Sequence, residues 1–479
     1  MTPTIVTFGY TRDPVAAVDG ALQGRELPPS TTVVNLYEDL RWRDVEAREA
    51  ALAAPEEIDD PGLSVASHTT GAITELSYFD PLGSCVLIRR RRDSITERDT
   101  LFRDGVPYVI REYDPRGFRT RELSLRGAEN AIAEERYFAP DGFCFVTRRL
   151  DPSSGQQRGN FWHQRDRRES RRFGHNTPWH TAWLDEFLRS RRREGEEPFI
   201  VAESPSGVLK VLDIGPEHGH RIYMFHENHL DAPHTLGASV RRDYGSAPAR
   251  IAEMPLLIVP TQSQAEDIRA QFGDEMRVRG IGNRVVDKRT SAAGAAIPGK
   301  IGVFGRLAAS KRVDEALEIF SAVHERVPQA RLDVFGDGPE RAKLEKLAKE
   351  LGVGEAVTFH GRVPNAADEM AACTVTVSTS ATESFGLSIA ESLAVGTPVV
   401  SYAVNYGPRD LIRDGQDGYL VEPGDAEAFV DRLVELLEDP ATAERMGANA
   451  ERRMVEDFSR SSFTRAWEAA FHEAAAHDR

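Results

Sequence analysis

Arg306 and Lys311 stand in the segment GRLAASK, directly after the apolar run IGVF at 301–304. A cation pair on a loop that leaves a strand and enters a helix sits where open α/β sheets bind ligands. Two cations there can hold a diphosphate and stabilise it as it departs. A surface arginine beside a helix-starting lysine would look the same. Further on, Glu383 and Glu391 lie eight positions apart in ESFGLSIAE. Glu383 falls in the loop after the β-rich run TVTVST, and Ser384, Phe385 and Gly386 lead into a helix near Leu387. Free backbone N–H groups at that helix start suit a phosphate, and Gly386 lets the main chain approach a ligand closely. Glu391 lies about one turn into the helix, so the two carboxylates can accept hydrogen bonds from sugar and ribose hydroxyls. Two solvated glutamates complementing a helix dipole are the bland alternative.

Other candidates are weaker taken singly. The glycine-rich turns FGDGPER and HGRVP, with Gly336 and Val363, can frame a nucleotide base through main-chain groups or be ordinary βα turns. In RIYMFHENH, His226 and His229 follow an apolar run. No third ligand stands nearby at a usual spacing, so no metal site is expected. Cys85, Cys144 and Cys373 are widely separated, with neither a metal pattern nor a disulfide framework.

These residues need elements to position them. From Ile301 onward, strand-like runs alternate with helical periodicity: RLDVFGDG, the helical stretch 339–352 closed by Gly352, AVTFHG, TVTVSTS and TPVVSY. Continuous apolar strands between helices predict a parallel sheet covered on both faces. TIVTFG (4–9) and TVVNLY (32–37) begin a similar pattern, which resumes near Trp183 with FIVAES, RIYMFH and LLIVPT. The expected organisation is α/β. One Rossmann-like domain comprises 1–64 and 179–285, 286–300 is a linker, and a second Rossmann-like domain comprises 301–458. The last helix, 459–479, carries Phe463, Trp467 and Phe471 at four-residue spacing. Its polar face favours packing back on the first domain over more than peripheral membrane contact.

Residues 65–178 break the alternation. SYFDPLGSCVLIRRR, EYDPRGFRTRELSL and RYFAPDGFCFVTRRL each combine an aromatic residue, a turn and a glycine (83, 117, 142) with a β-rich basic run. They predict antiparallel hairpins with glycine at positive φ. Period-two alternation suggests a sheet with one apolar and one Arg-rich face. Residues 89–193 hold 24 arginines, no lysine and 16 carboxylates, a net of +8 in a chain whose total is −16. A basic island in an acidic chain suggests an anionic partner, although no lysine precedes Lys210 anywhere, so arginine can simply be the preferred solvating cation. Acceptor contact and self-association of the inserted sheet remain equal readings. No run approaches the ~18 apolar residues of a membrane span. Met1–Gly9 reads as a first strand and not a signal peptide, and a cytoplasmic location, at the inner face of the membrane or away from it, is expected.

The order of the elements from 300 to 435 resembles the retaining GT-B glycosyltransferases of family 4: GRLAASK, GDGPE, the glutamate pair in ESFGLSIAE, then GTPVV. The resemblance implies two Rossmann-like domains, a nucleotide-diphosphate sugar donor, retention of configuration and no cofactor or required metal. Arg306 and Lys311 would bind the diphosphate, Glu383 the transferred sugar and Glu391 the ribose. His226, with His229 second, would stand beside that sugar. The inserted sheet and HENH look like the poly(glycerol-phosphate) α-glucosyltransferase group, which includes enzymes adding N-acetylglucosamine to wall teichoic acid. This implies transfer of a glucosyl or N-acetylglucosaminyl unit from a UDP-sugar to a phosphate-rich polymer. Transfer to a Ser-rich adhesin is the alternative, and a non-catalytic glycan-binding partner would be expected to lack the four donor residues. No nucleic-acid partner is implied. One departure is clear. The family's Gly-Gly loop after the first strand is here FGYTRDPVAAV, with Gly9 present but Arg12, Asp13 and Pro14 where glycines are expected.

Overall fold

The computed structural model describes residues 4–8, 10, 31–43, 58, 60–127, 129–165, 169–191, 198–203, 205–241, 248–286, 289–290 and 294–477. Gly9, Arg12, Asp13 and Pro14 therefore lie outside the described residues. Two compact units are present, Met1–Arg191 and Arg192–Arg479.

In the first unit, strands β1 (Thr4–Thr7) and β2 (Thr32–Asn35) pair in parallel. The run TVVNLY does not continue as a strand to Tyr37. Asn35 accepts hydrogen bonds from the backbone N–H groups of Tyr37 and Glu38 and so caps helix α1 (Leu36–Trp42). Ten strands then follow, β3 (Ser64–Thr70), β4 (Ile73–Phe79), β5 (Cys85–Arg92), β6 (Ile95–Arg103), β7 (Val106–Tyr113), β8 (Arg119–Arg126), β9 (Ala131–Phe138), β10 (Cys144–Leu150), β11 (Gln157–Gln164) and β12 (Glu169–Phe173). They form one antiparallel sheet in sequential order, and helix α2 (Asn176–Arg191) follows.

The repeated motif explains this meander. Gly83, Gly117 and Gly142 have φ of 82°, 95° and 85°. In each turn the glycine N–H donates to the carbonyl three residues back, at 2.9, 2.8 and 2.9 Å. A bulge in strand pairing accompanies each turn, at Tyr78/Phe79, Glu112/Tyr113 and Cys144/Val146. This is the type I turn plus glycine bulge of a short hairpin.

The arginines are not gathered on one face. Arg89 to Arg92 are consecutive in β5, so their side chains alternate between faces. Strand register places Arg89 opposite Asp99, Asp99 opposite Arg111, Arg111 opposite Glu122 and Glu122 opposite Arg136. The result is a row of alternating charge across five strands. Arg89 donates to both oxygens of Asp99 at 2.8 Å. Glu122 takes Arg111 at 3.0 Å, Arg119 at 2.8 Å and Arg136. On the opposite face, Arg121 pairs with Glu112 at 2.9 Å and Arg148 with Glu135 at 2.6 Å. That face also carries the buried Tyr137, which packs against Tyr37 and Tyr10 at 4.7 and 5.1 Å. Much of the basic island is therefore engaged in cross-strand pairs.

The second unit has two parallel sheets. The first contains β13 (Phe199–Ala202), β14 (His220–Met224), β15 (Leu257–Val259) and β16 (Val278–Gly280) in that order, with helix α3 (Pro205–Leu212) after β13 and α4 (Gln262–Phe272) after β15. The second contains β17 (Ile297–Phe304), which begins inside the stretch read as linker. It is followed by α5 (Val313–Arg326), β18 (Arg331–Phe335), α6 (Arg341–Glu350), β19 (Val357–Gly361), α7 (Ala366–Ala371), β20 (Cys373–Ser378), α8 (Leu387–Ala394), β21 (Val399–Tyr402), α9 (Gly407–Leu411), β22 (Gly418–Val421), α10 (Ala426–Glu438) and α11 (Pro440–Asp457). Its strand order is β19-β18-β17-β20-β21-β22. Leu317, Phe320, Val334, Val375, Val400 and Phe429 lie in the core of one face. The last helix, α12 (Arg460–His477), lays Ala470 and Ala474 on Ile222, Met224 and Ile258 of the four-stranded sheet. Phe471 meets Phe199 at 4.7 Å.

The charge row makes a stability prediction. Glu122 is 4% exposed and holds three guanidinium groups, so Glu122→Gln should cost about 2 kcal/mol by leaving them underpaired. Glu134→Gln, whose partner Arg149 is 61% exposed, should cost less than about 1 kcal/mol. Urea denaturation followed by circular dichroism reads the difference, and equal costs would remove the structural role given to the row.

Candidate functional site

The six-stranded sheet reverses direction of growth between its two central strands. From β17 the chain moves outward to β18 and β19, then returns to β20 on the other side and moves outward to β21 and β22. The loops leaving β17 and β20 therefore diverge at the position where such sheets form a ligand crevice. The first is the loop of Arg306 and Lys311, and the second is the loop of Glu383.

The two loops are joined by hydrogen bonds to main-chain carbonyls. Ala381 N–H donates to the Ser310 carbonyl at 2.9 Å, and the Thr379 hydroxyl donates to the Arg312 carbonyl at 2.7 Å. Lys311 ends a short 3-10 turn, and Arg312 takes left-handed φ of 48° before α5 starts. In this setting the Lys311 ammonium meets Glu383 Oε1 in an ion pair. Ser380 Oγ donates to the same oxygen at 2.9 Å. Glu383 is buried at 9% exposure, so its charge requires these partners. Arg306 is exposed on the same loop and makes no ion pair among the described residues.

The neighbouring turns are spaced by glycine. A Cβ on Gly336 would stand 1.8 Å from the Gly305 carbonyl oxygen, and one on Gly338 2.3 Å from that of Leu307. Both glycines thus let the turn after β18 lie against the cation loop, and Gly336 N–H also donates to the Gly361 carbonyl at 2.8 Å. Val363 is half-buried in the turn after β19. Gly386, with φ of 85°, caps α8 in a left-handed conformation that favours glycine. Ser384 is half-buried beside it, and Leu387 is 55% exposed at the helix start. Phe385 points the other way: its ring is buried with Ile389, Leu393 and Met454 and lies edge-on to Phe458. Only its main chain is available to a ligand at this loop. Glu391 is half-buried on α8.

The two histidines separate. His226 follows β14 with its ring half-exposed and Nε2 3.8 Å from Glu203. His229 is fully buried, stacked on Tyr406 at 6.1 Å, with Nδ1 3.4 Å from Gln264. Burial pulls its pKa down to about 4, opposed by a weaker hydrogen-bonding contribution with the Gln271 side chain that raises it. The histidine open at the strand end is thus His226, and His229 packs behind it as a neutral ring.

Several residues that shape the site were not singled out by sequence. Asn228, inside HENH, donates to Thr382 at 3.3 Å and so joins the loop after β14 to the glutamate loop. Glu383 N–H donates to the Asn405 carbonyl at 3.2 Å, and Gly407 N–H returns a bond to the Glu383 carbonyl at 3.0 Å. A Cβ on Gly407 would meet the Phe385 carbonyl oxygen at 1.9 Å. The signal for 405–407 was available, because NYGP follows an apolar strand and so stands at a carboxyl end. Cavities of about 230 and 400 Å³ border α12 instead, and neither is lined by Lys311 or Glu383.

Residues 296–453 match the family model Glycosyl transferases group 1. The chain is 27% identical over 290 residues to the poly(glycerol-phosphate) alpha-glucosyltransferase of Bacillus subtilis (strain 168), covering 60% of this chain and 41% of that one. It is 22% identical over 340 residues to the poly(ribitol-phosphate) alpha-N-acetylglucosaminyltransferase of Staphylococcus aureus (strain COL), covering 71% and 66%. The chain thus spans less than two thirds of the length of either curated relative. A crystal structure of a mutant S. aureus TarM in complex with Fondaparinux, alpha-GlcNAc-glycerol and UDP matches at a TM-score of 0.76 and 18% identity, covering 98% of this chain and 92% of that one. The fold is that of the GT-B glycosyltransferases, with a large antiparallel sheet in addition to the parallel ones.

The buried His229 generates a pH prediction. Its folded pKa lies below its unfolded value, so between pH 6.5 and pH 4 the unfolded chain takes up a proton that the folded chain does not. Stability from this group is therefore present above pH 6.5 and lost as the pH falls. Between pH 7 and pH 5 the native protein should lose about 2 kcal/mol more than His229→Asn. Denaturant titrations at the two pH values measure it, and parallel slopes in both proteins would refute the assignment.

Proposed function

From a chain whose residues 296–453 form a glycosyl transferases group 1 domain, we propose a retaining glycosyltransferase. It moves a glucosyl or N-acetylglucosaminyl unit from a UDP-sugar to a hydroxyl of a phosphate-rich cell-wall polymer. The observation that carries this reading is the convergence of Arg306, Lys311 and Glu383 at the exits of adjacent strands β17 and β20. The names of the two relatives support the sugar and the acceptor class.

Each residue has a chemical task in this reading. Arg306, exposed and without an ion pair among the described residues, takes the diphosphate with Lys311 and stabilises the charge that develops as the glycosidic bond breaks. Glu383 accepts hydroxyl hydrogens of the transferred sugar, and Glu391 those of the ribose. The N-terminal end of α8, with Ser384, Gly386 and the main chain of Phe385, offers N–H donors to phosphate. The acceptor hydroxyl attacks from the face the diphosphate leaves, and the departing phosphate oxygen takes its proton. No protein nucleophile is needed and no metal enters this scheme. His226 stands beside the sugar. The inserted sheet serves acceptor binding or self-association. With so many of its arginines paired across strands, the acceptor class rests on the relatives more than on charge. Action at the inner face of the membrane fits such a polymer. No helix among the described residues is long and apolar enough to cross a membrane.

Two measurements test the reading. Saturating UDP should raise the melting temperature by several degrees, because a ligand that binds only the folded state stabilises it by mass action. GDP and ADP should raise it less. Lys311→Ala and Glu383→Ala should each lower turnover at least about 100-fold, roughly 3 kcal/mol of lost charge stabilisation. Turnover is read as UDP release with teichoic polymer as acceptor. Near-native rates in both variants would remove the donor site, and transfer to a Ser-rich peptide but not to polymer would move the acceptor to protein.

A further inference from the structure

The carboxylate of Glu383 is held from two directions. Lys311, on the loop after β17, contacts Oε1, and so does Ser380 Oγ, on the loop after β20, at 2.9 Å. Ser380 is 4% exposed, and its hydroxyl has Glu383 as its partner among the described residues. A hydroxyl donor to an ionised carboxylate is one of the stronger hydrogen bonds available to a protein.

The main chain around this contact is fixed independently. Ala381 N–H is bonded to Ser310, Glu383 N–H to Asn405, and the Glu383 carbonyl to Gly407. Thr382 is joined to Asn228 and to Asn405. Removing the Ser380 hydroxyl therefore leaves the loop anchored and frees only the carboxylate to rotate. The two donors to Oε1 also differ in kind. Lys311 ends a flexible four-carbon stem with three donors, and in the reading above it is also engaged by the diphosphate. Ser380 is short, uncharged and buried, so its hold on the carboxylate does not depend on what binds Lys311. A carboxylate oxygen with two donors is close to saturated, which leaves Oε2 as the oxygen available to a sugar hydroxyl.

We propose that Ser380 is a positioning residue that, together with Lys311, occupies Oε1 of Glu383 and so presents Oε2 to the transferred sugar. This rests on the reading of Glu383 as the sugar-binding carboxylate. Its distinctive consequence is that Ser380 acts on turnover without acting on nucleotide affinity, since the sugar is held by Glu383 and the diphosphate by the cations.

The test uses the full chain with UDP-glucose and UDP-N-acetylglucosamine as probes, UDP release as the rate and calorimetric titration of UDP as the affinity. Ser380→Ala should lower kcat with the better donor by about tenfold, the scale of one charge-assisted hydrogen bond. UDP affinity should stay within about twofold and Tm close to native. Ser380→Thr, which keeps the hydroxyl, should recover most of kcat. In a Glu383→Gln background, Ser380→Ala should add less than about a twofold further loss, because residues acting as a unit are not additive. Native kcat in Ser380→Ala would overturn the proposal. So would a full tenfold loss in the Glu383→Gln background, or a fall in UDP affinity parallel to kcat. Full turnover by Glu383→Gln itself would instead overturn the reading of the site on which the proposal stands.

Discussion

Parallel pairing of Ile301 with Val375 and Val303 with Val377 sets the exits of β17 and β20 side by side. Everything at the site depends on this contact. Lys311 and Glu383 are 72 residues apart in the chain, yet the pairing brings their loops within main-chain hydrogen-bonding distance. The buried Glu383 carboxylate then imposes a second constraint. A charge removed from water must be paired, and a cation from one loop and a hydroxyl from the other meet it on Oε1. The ion pair is a consequence of strand order, and separate hydrogen bonds between the two loops hold its partners in place.

Around that centre, glycine works mainly by making room for backbone. Gly336, Gly338 and Gly407 each bring their loop so close to another chain segment that a Cβ would collide with a carbonyl. The cation loop, the turn after β18, the glutamate loop and the segment after β21 are stacked by these contacts. Sequence reading places Gly336 next to a ligand, and the fold gives it a prior task in packing loop on loop. Phe385 makes the same point with a large side chain. Its main chain lies at the helix start while its ring fills a core with Phe458, so the FG pair joins the site to the hydrophobic interior.

The inserted sheet shows why composition alone does not locate a partner surface. Its positive excess is real, but Arg89, Arg111, Arg119, Arg121, Arg136 and Arg148 all lie against carboxylates on neighbouring strands or within their own. Alternating register turns much of what looks like an anion-binding surface into sheet cohesion. The expected segregation of arginine to one face also fails, because consecutive residues in a strand must point to opposite faces.

What the chain determines by itself is local. The hairpins at Gly83, Gly117 and Gly142, the cap at Asn35, the alternation of strands and helices after Ile301, and the types and spacing of Arg306, Lys311, Glu383 and Glu391 are all legible, because turns, caps and periodicity depend on neighbours a few residues away. That reach sufficed for the fold class and for the loops to which the proposed chemistry is assigned. The tertiary structure alone decided which residues meet. Ser380 and Lys311 converge on one oxygen of Glu383, and Asn228 reaches Thr382 from another sheet. His226 lies open while His229 is buried three positions later. These outcomes depend on strand order, register and burial, and those properties arise only when distant segments pack against one another.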